Sequence, residues 1–294
     1  MSTKILTCIY SDLSGTEFGG RHARGGHYRW SLLSLLKITD ADFLCYTSDR
    51  EILGLEDFFY VQHNVSREKI KFEIFDISQT KFYNVINQYK DIEGTKRGDR
   101  CVEIQYSKFH WWWNEDKSYD YYYWIDAGLS HTGLIPNKYL VGTHPEQRYY
   151  ESTLFNNDFL GNVIQDTGDK FLMLAKENVN YYWSGTVNRN WYTNLYDPSL
   201  HVIGGMFGGH KSKWDNIVNK FEDYLEKIIL TDKGLPHEEN IMSLMRVNHP
   251  ELFEIKQFDI WWCPDSGPRD LDVSYYEDKK SFYRILEEFN RIYE

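Results

Sequence analysis

The stretch Tyr121-Tyr-Tyr-Trp-Ile-Asp-Ala-Gly-Leu-Ser-His131 constrains the fold more than any other segment of the chain. Tyr121 to Ile125 are aromatic or β-branched without a polar break, which predicts a buried strand. That strand runs into Asp126, and Ala127 and Gly128 follow with almost no side-chain bulk. A carboxylate where a buried strand ends, beside a glycine that lets another group come close, is a common way to hold a metal or a sugar nucleotide. The local alternative is that Asp126 caps a turn and Gly128 supplies a positive φ. This stretch alone leaves both readings open.

Composition narrows the classes. At 294 residues, with no Pro/Gly/Ser-rich linker, internal repeat or low-complexity run, the expectation is one α/β domain with elaborations spanning 1–294. The formal net charge of −11 and a pI near 5.4 disfavour a nucleic-acid partner bound through its phosphates. Met1 to Tyr10 is too short and polar for a signal peptide, and no apolar run approaches the ~18 residues of a membrane span. A cytoplasmic protein is expected. Cys8, Cys45, Cys101 and Cys263 lack CxxC spacing, so they read as free thiols rather than zinc ligands or disulfides. The aromatic content of 17% stands out, since aromatic rings cover sugars and bases well, although much of it must serve the core.

Lys4 to Tyr10 reads as a first strand, and Ser11 to Gly26 as a polar, Gly-rich loop holding Arg21 and Arg24. A helix over Tyr28 to Leu36 follows. A strand, a loop with backbone freedom, two arginines and a helix start make a diphosphate cradle, or else a surface loop with solvated arginines. The loop is neither GxGxxG nor a Walker A sequence. Asp42 to Thr47 and Lys71 to Phe75 continue the strands, with a further one expected at Tyr60 to Asn64. Ile104 to Trp113 predicts a helix leading to the Tyr121 strand. Phe171 to Leu174 reads as a short strand, and Val179 to Tyr196, with Trp183, as a substrate-facing excursion. Amphipathic helices are expected at Lys213 to Ile229, Ile241 to Val247 and Lys280 to Tyr293, with a strand ending at Trp261-Trp-Cys-Pro264.

Two further clusters carry chemistry. Gly204-Gly-Met-Phe-Gly-Gly209 reads as a loop whose backbone a ligand can approach closely, or as a tight turn before a helix. His237-Glu-Glu-Asn240 opens a helix, where acidic residues suit the dipole, yet it places a histidine and two carboxylates one strand–helix unit after the glycines.

The order of these segments resembles that of GT-A glycosyltransferases. Trp124-Ile-Asp-Ala-Gly128, with Ser107-Lys108 upstream, is similar to the bacterial HtrL/YibB-like proteins. His201 to Gly209 and His237-Glu-Glu-Asn240 resemble segments of family 6 retaining glycosyltransferases, the blood-group and α-galactosyl enzymes. The resemblance implies an α/β, GT-A-like single domain: a mixed central sheet flanked by helices, with a donor half over 1–130 and an acceptor half over 131–294. It implies transfer of a sugar from a nucleotide-sugar donor, UDP-linked in these families, to a hydroxyl of a glycan. Asp126 then corresponds to the first aspartate of the DxD motif, holding Mn²⁺ or Mg²⁺ and the donor diphosphate. Glu239 matches the carboxylate facing the anomeric carbon, with Glu238 next to it in the chain and His237 beside the acceptor or donor. The donor side takes in Tyr10, Arg21, Arg24, Lys108, Gly128, Gly204 and Gly205; the acceptor side takes in Met206, Phe207, Trp183 and Trp261.

One departure matters: Gly128 stands where the motif has its second aspartate. A metal-independent enzyme that uses Arg21, Arg24 or Lys108 is therefore the alternative to a metal on Asp126. Sugar transfer needs a stabilised leaving diphosphate and a carboxylate near the developing oxocarbenium ion, and these residue types supply both. Rival readings are a non-catalytic carbohydrate-binding protein of the same fold, a nucleotide-sugar hydrolase, and a phage enzyme acting on modified DNA bases.

Overall fold

A computed structural model describes residues 2–10, 22–89, 102–128, 167–176, 202–232 and 238–258. The aromatic stretch that ends at Asp126 is indeed a strand, β4 (Tyr121–Ile125), and it lies in the middle of a seven-stranded sheet. The others are β1 (Thr3–Ile9), β2 (Asp42–Thr47), β3 (Ile70–Ile74), β5 (Phe171–Lys176), β6 (Val202–His210) and β7 (Phe253–Phe258). Their order is β3-β2-β1-β4-β6-β5-β7. β1 pairs in parallel with β2 and β4, β2 with β3, and β5 with β7. β6 runs antiparallel to both of its neighbours, β4 and β5. Strands from both expected halves of the chain thus share one mixed sheet.

Helices cover both faces, as a sheet with parallel strands requires. Tyr122 and Trp124 turn to one face, with Leu6, Tyr46, Phe171 and Phe207. Against them pack α3 (Tyr83–Tyr89), α4 (Val102–His110), the 3₁₀ turn Trp111–Asn114, α5 (Lys211–Asp232) and α6 (Glu238–Asn248). Tyr123 and Ile125 turn to the other face, with Ile5, Phe43 and Cys45, beneath α1 (His22–Ile38), α2 (Ile52–Glu56) and the π-helical stretch Asp57–Gln62. No helix among the described residues is long and apolar enough to cross a membrane.

Most of the aromatic residues the structure describes serve this core. Tyr46, Trp111, Trp124, Phe207, Phe109 and Phe221 stack in sequence, with neighbouring centroids between 4.0 and 6.4 Å apart. The column crosses β2, β4, β6, α4 and α5, so ring stacking ties the sheet to its helical cover.

Several boundaries differ from the sequence reading. The first helix begins at His22, inside the stretch expected to be a loop. Burial of Leu32, Leu33, Leu35 and Leu36 further along it outweighs the roughly 1 kcal/mol that a glycine costs a helix at each of 25 and 26. The strand expected at Tyr60 to Asn64 is the end of the π-helical stretch, whose Phe58 and Phe59 are buried by helical spacing. The glycine-rich segment 204–209 is within β6, neither a loop nor a turn. The closing helix, the excursion at 179–196 and the end of the Trp261 strand lie outside the described residues.

Glycine permits β6 to run where it does. Gly208 has φ +153°, and a Cβ there would lie 2.3 Å from the Tyr122 carbonyl oxygen. On the β5 side the register jumps from Met173↔Phe207 to Leu174↔Ile203, so Gly204, Gly205 and Met206 bulge away from β5. Gly208→Ala is accordingly expected to cost about 1–3 kcal/mol or more in urea unfolding. Gly209→Ala meets its nearest backbone atom at 3.1 Å and should cost clearly less. Equal losses would mean that β6 does not approach β4 in this way.

Candidate functional site

Asp126 follows Ile125 at the carboxyl end of β4. Strand alternation puts its side chain on the same face as Tyr122 and Trp124. Trp124 Nε1 donates to Asp126 Oδ1 at 2.7 Å, and the Asp126 N–H donates to the Gly205 carbonyl at 2.9 Å. β1 lies between β2 and β4, so the chain changes sides of β1 in passing from β3 to β4. Asp126 therefore sits beside the switch point where open α/β sheets hold ligands.

Three other element ends converge on this carboxylate. Lys108, on α4, places Nζ 3.0 Å from Asp126 Oδ1 and 3.1 Å from Oδ2. It also donates to the Gly204 carbonyl at 3.0 Å and to Glu238 Oε1 at 3.1 Å. Glu239, beside Glu238 in the first turn of α6, accepts the Gly204 N–H through Oε1 at 3.0 Å. Ser243 docks α6 on β6: its Oγ accepts from the Val202 N–H at 3.0 Å and donates to the Glu239 carbonyl at 2.7 Å.

Burial divides these groups. The side chains of Lys108 and Glu238 are 5% and 4% exposed, whereas Asp126 is 35% exposed and Glu239 is half-buried. Burial alone would lower the Lys108 pKa, but Asp126 and Glu238, with a smaller contribution from Glu239, outweigh it and hold the ammonium above the ordinary lysine value. An ammonium has three N–H donors, and Asp126, Gly204 and Glu238 take all three. A Cβ at 204 would lie 2.7 Å from Glu238 Oε1 and 3.3 Å from Lys108 Nζ, so a larger residue there would have to displace the Glu238 carboxylate.

Of the residues singled out in the sequence, Lys108, Asp126, Gly204, Gly205, Glu238 and Glu239 come together here. Gly128 is buried just beyond β4. Both glutamates approach Gly204, Glu238 beside its Cα and Glu239 through the N–H, so the two neighbours do not divide into one facing it and one turned away. Lys108 does not offer free donors to a ligand, since its hydrogens are engaged by the protein.

Met206 and Phe207 are core residues rather than acceptor contacts. Both are fully buried; Met206 packs with Tyr123 and Ile125, and Phe207 lies in the ring column. Tyr10 is also buried, its hydroxyl donating to the Phe75 carbonyl at 2.9 Å, which turns it from the donor role expected of it. Arg21, Trp183, His237 and Trp261 lie outside the described residues, as does the side chain of Arg24. Trp124 and Ser243 escape the sequence reading. The signal for Trp124 is its place two residues before Asp126, on the same face of the strand.

The residues present do not fit a metal ion on Asp126. Lys108 lies within 3.1 Å of both Asp126 oxygens, and Trp124 donates to Oδ1. Glu238 Oε1 faces Lys108, and Gly128 has no side-chain ligand. Among the described residues no group of three or more His, Cys, Asp or Glu side chains is placed to hold a metal. An ammonium stands where the cation would meet the carboxylate.

No family model matches the sequence, and no curated protein matches it. Among solved structures, the chain is similar to apo mouse xyloside xylosyltransferase 1, with a TM-score of 0.53 and 12% identity over 91% of each chain. It also matches the 4-diphosphocytidyl-2C-methyl-D-erythritol synthase of Anaerococcus prevotii, with a TM-score of 0.43 and 8% identity over 96% of each chain. The likeness to the xylosyltransferase concerns the fold: α/β and GT-A-like, with a mixed sheet between layers of helices.

The buried pair makes a stability prediction. Lys108→Met leaves the buried Glu238 charge without its cation, and should cost roughly 3–5 kcal/mol in chemical unfolding. Adding Glu238→Gln should recover at least half of that loss. No recovery would show that Lys108 acts through something other than this pair. Because the Lys108 pKa is raised, its contribution is fully present below the unfolded-state value of about 10.5 and is lost only as pH rises beyond it.

Proposed function

We propose that this protein is a glycosyltransferase that moves a sugar from a nucleotide-sugar donor, UDP-linked in the first instance, to a hydroxyl of a glycan. The observation that carries the reading is the partly exposed Asp126 carboxylate at the β4 end of a GT-A-like sheet, which shares Lys108 with Glu238 at the start of α6. This also fits the narrower resemblance to HtrL/YibB-like and family 6 enzymes. A net charge of −11 weighs against DNA as the acceptor.

Roles follow from burial and contact. Asp126 meets the ligand. Glu239, half-buried with Oε1 fixed by the Gly204 N–H, is the carboxylate that stabilises positive charge developing at the anomeric carbon. Glu238 is a positioning residue, because its charge is directed at Lys108. His237 beside the acceptor, and Arg21 and Arg24 on the diphosphate, complete the reading. The chain then forms one catalytic domain with its donor side in 1–130 and its acceptor side in 131–294.

The reading is tested with a panel of nucleotide sugars and glycan acceptors, with product detection by mass spectrometry. Asp126→Asn should abolish nearly all transfer while circular dichroism shows the fold retained. Glu239→Gln should lower kcat by two or more orders of magnitude, on the order of 3 kcal/mol at the transition state, with little change in donor affinity. Glu238→Gln should act mainly on stability. Donor binding without release of nucleoside diphosphate would favour a carbohydrate-binding protein of the same fold, and release that no acceptor accelerates would favour a hydrolase.

A further inference from the structure

The donor set around Asp126 goes further than the reaction class. A carboxylate offers about four lone-pair positions. Lys108 lies 3.0 Å from Oδ1 and 3.1 Å from Oδ2, and Trp124 Nε1 donates to Oδ1 at 2.7 Å. Lys108 gives Asp126 one N–H and Trp124 gives it another, so two of those positions are filled and two remain. A divalent cation of the Mg²⁺ type needs near-octahedral oxygen ligands at about 2.0–2.1 Å. Here it would find no second carboxylate at Gly128, and a buried ammonium within 3.1 Å of both oxygens of the one carboxylate present. A ligand O–H donor fits the positions that remain.

We propose that this site works without a divalent metal: Lys108 is its internal cation, and the exposed edge of Asp126 accepts a ligand hydroxyl instead of coordinating a metal ion. The proposal rests on the glycosyltransferase reading only for the choice of nucleotide probe. Lys108 does for the carboxylate what the metal does elsewhere, fixing its orientation and offsetting its charge. It does so from inside the protein, held by Gly204 and Glu238 as well as by Asp126. The positive charge that a leaving diphosphate needs must then come from other side chains, for which Arg21 and Arg24 are the candidates in the sequence.

The test uses Mn²⁺ and UDP as probes on the full chain. Mn²⁺ is titrated by electron paramagnetic resonance into wild type, Asp126→Asn, Lys108→Met, and Lys108→Met combined with Asp126→Asn. Wild type and Asp126→Asn should bind Mn²⁺ within about twofold of each other. Lys108→Met, which takes the ammonium away from Asp126 and Glu238, should gain a site at least about tenfold tighter, lost again in the double variant. UDP affinity measured by calorimetry should change less than about threefold between EDTA and excess Mn²⁺.

The proposal is overturned if wild type binds one Mn²⁺ at least about tenfold more tightly than Asp126→Asn, or if UDP binds only with Mn²⁺ present. It is equally overturned if a folded Lys108→Met gains no site. Should Lys108→Met not fold, the comparison of wild type with Asp126→Asn decides alone. If UDP binds under neither condition, the UDP-donor element of the proposed function fails, while the Mn²⁺ titrations still decide the role of Lys108.

Discussion

A lysine ammonium buried to 5% exposure imposes conditions on everything around it. Taken from water without partners, such a charge would cost far more than any one interaction returns. Lys108 is stable there because acceptors reach it from the end of β4, the start of β6 and the first turn of α6. Those ends must arrive together, within hydrogen-bond distance, for any of them to be satisfied. The bulge of β6, the glycine at 204 and the Ser243 clamp all serve that convergence. The site is thus assembled by the need to satisfy a single charge.

The aromatic column provides the rigidity that this arrangement requires. Trp124 belongs to both systems: its ring stacks between Trp111 and Phe207, and its indole N–H holds Asp126. Rotation of the carboxylate would have to break that hydrogen bond or disturb a close-packed stack. Phe109, immediately after Lys108 in the chain, has a similar role and lies between Phe207 and Phe221. Residues close in sequence therefore alternate between packing and chemistry, which places the charged groups on supports that do not yield.

Legibility of the sequence follows the same division. β4 can be read from its unbroken aromatic and β-branched run and α5 from apolar residues at helix spacing, and Asp126 and Glu238-Glu239 can be read as carboxylates at element ends. β6 cannot. Four glycines look like a loop by propensity, and only the close approach to Tyr122 and to the Lys108–Glu238 pair explains why a strand tolerates them. Met206 and Phe207 mislead for a related reason: lying among glycines that suggest an open pocket, they look available to an acceptor, whereas strand alternation buries one on each face. The bridging role of Lys108 is hidden because its partners lie 18, 96 and 130 residues away.

The contrast in exposure within the cluster bears on how charge is used at the site. Lys108 lies between Glu238 and Asp126 in a low-dielectric environment, one positive charge shared by two carboxylates. Asp126 and Glu239 lie at the boundary, each oriented by a protein N–H: Asp126 by the Trp124 indole, Glu239 by the Gly204 backbone. Carboxylates held in this way need not reorganise when positive charge develops beside them, which is the condition under which fixed charges accelerate a reaction. Asp126 is paired with the ammonium at 3.0 Å all the same. The burial of Lys108 therefore does more than stabilise the fold. It holds the ammonium at 5% exposure against a carboxylate at 35%, so the charge nearest the surface is negative.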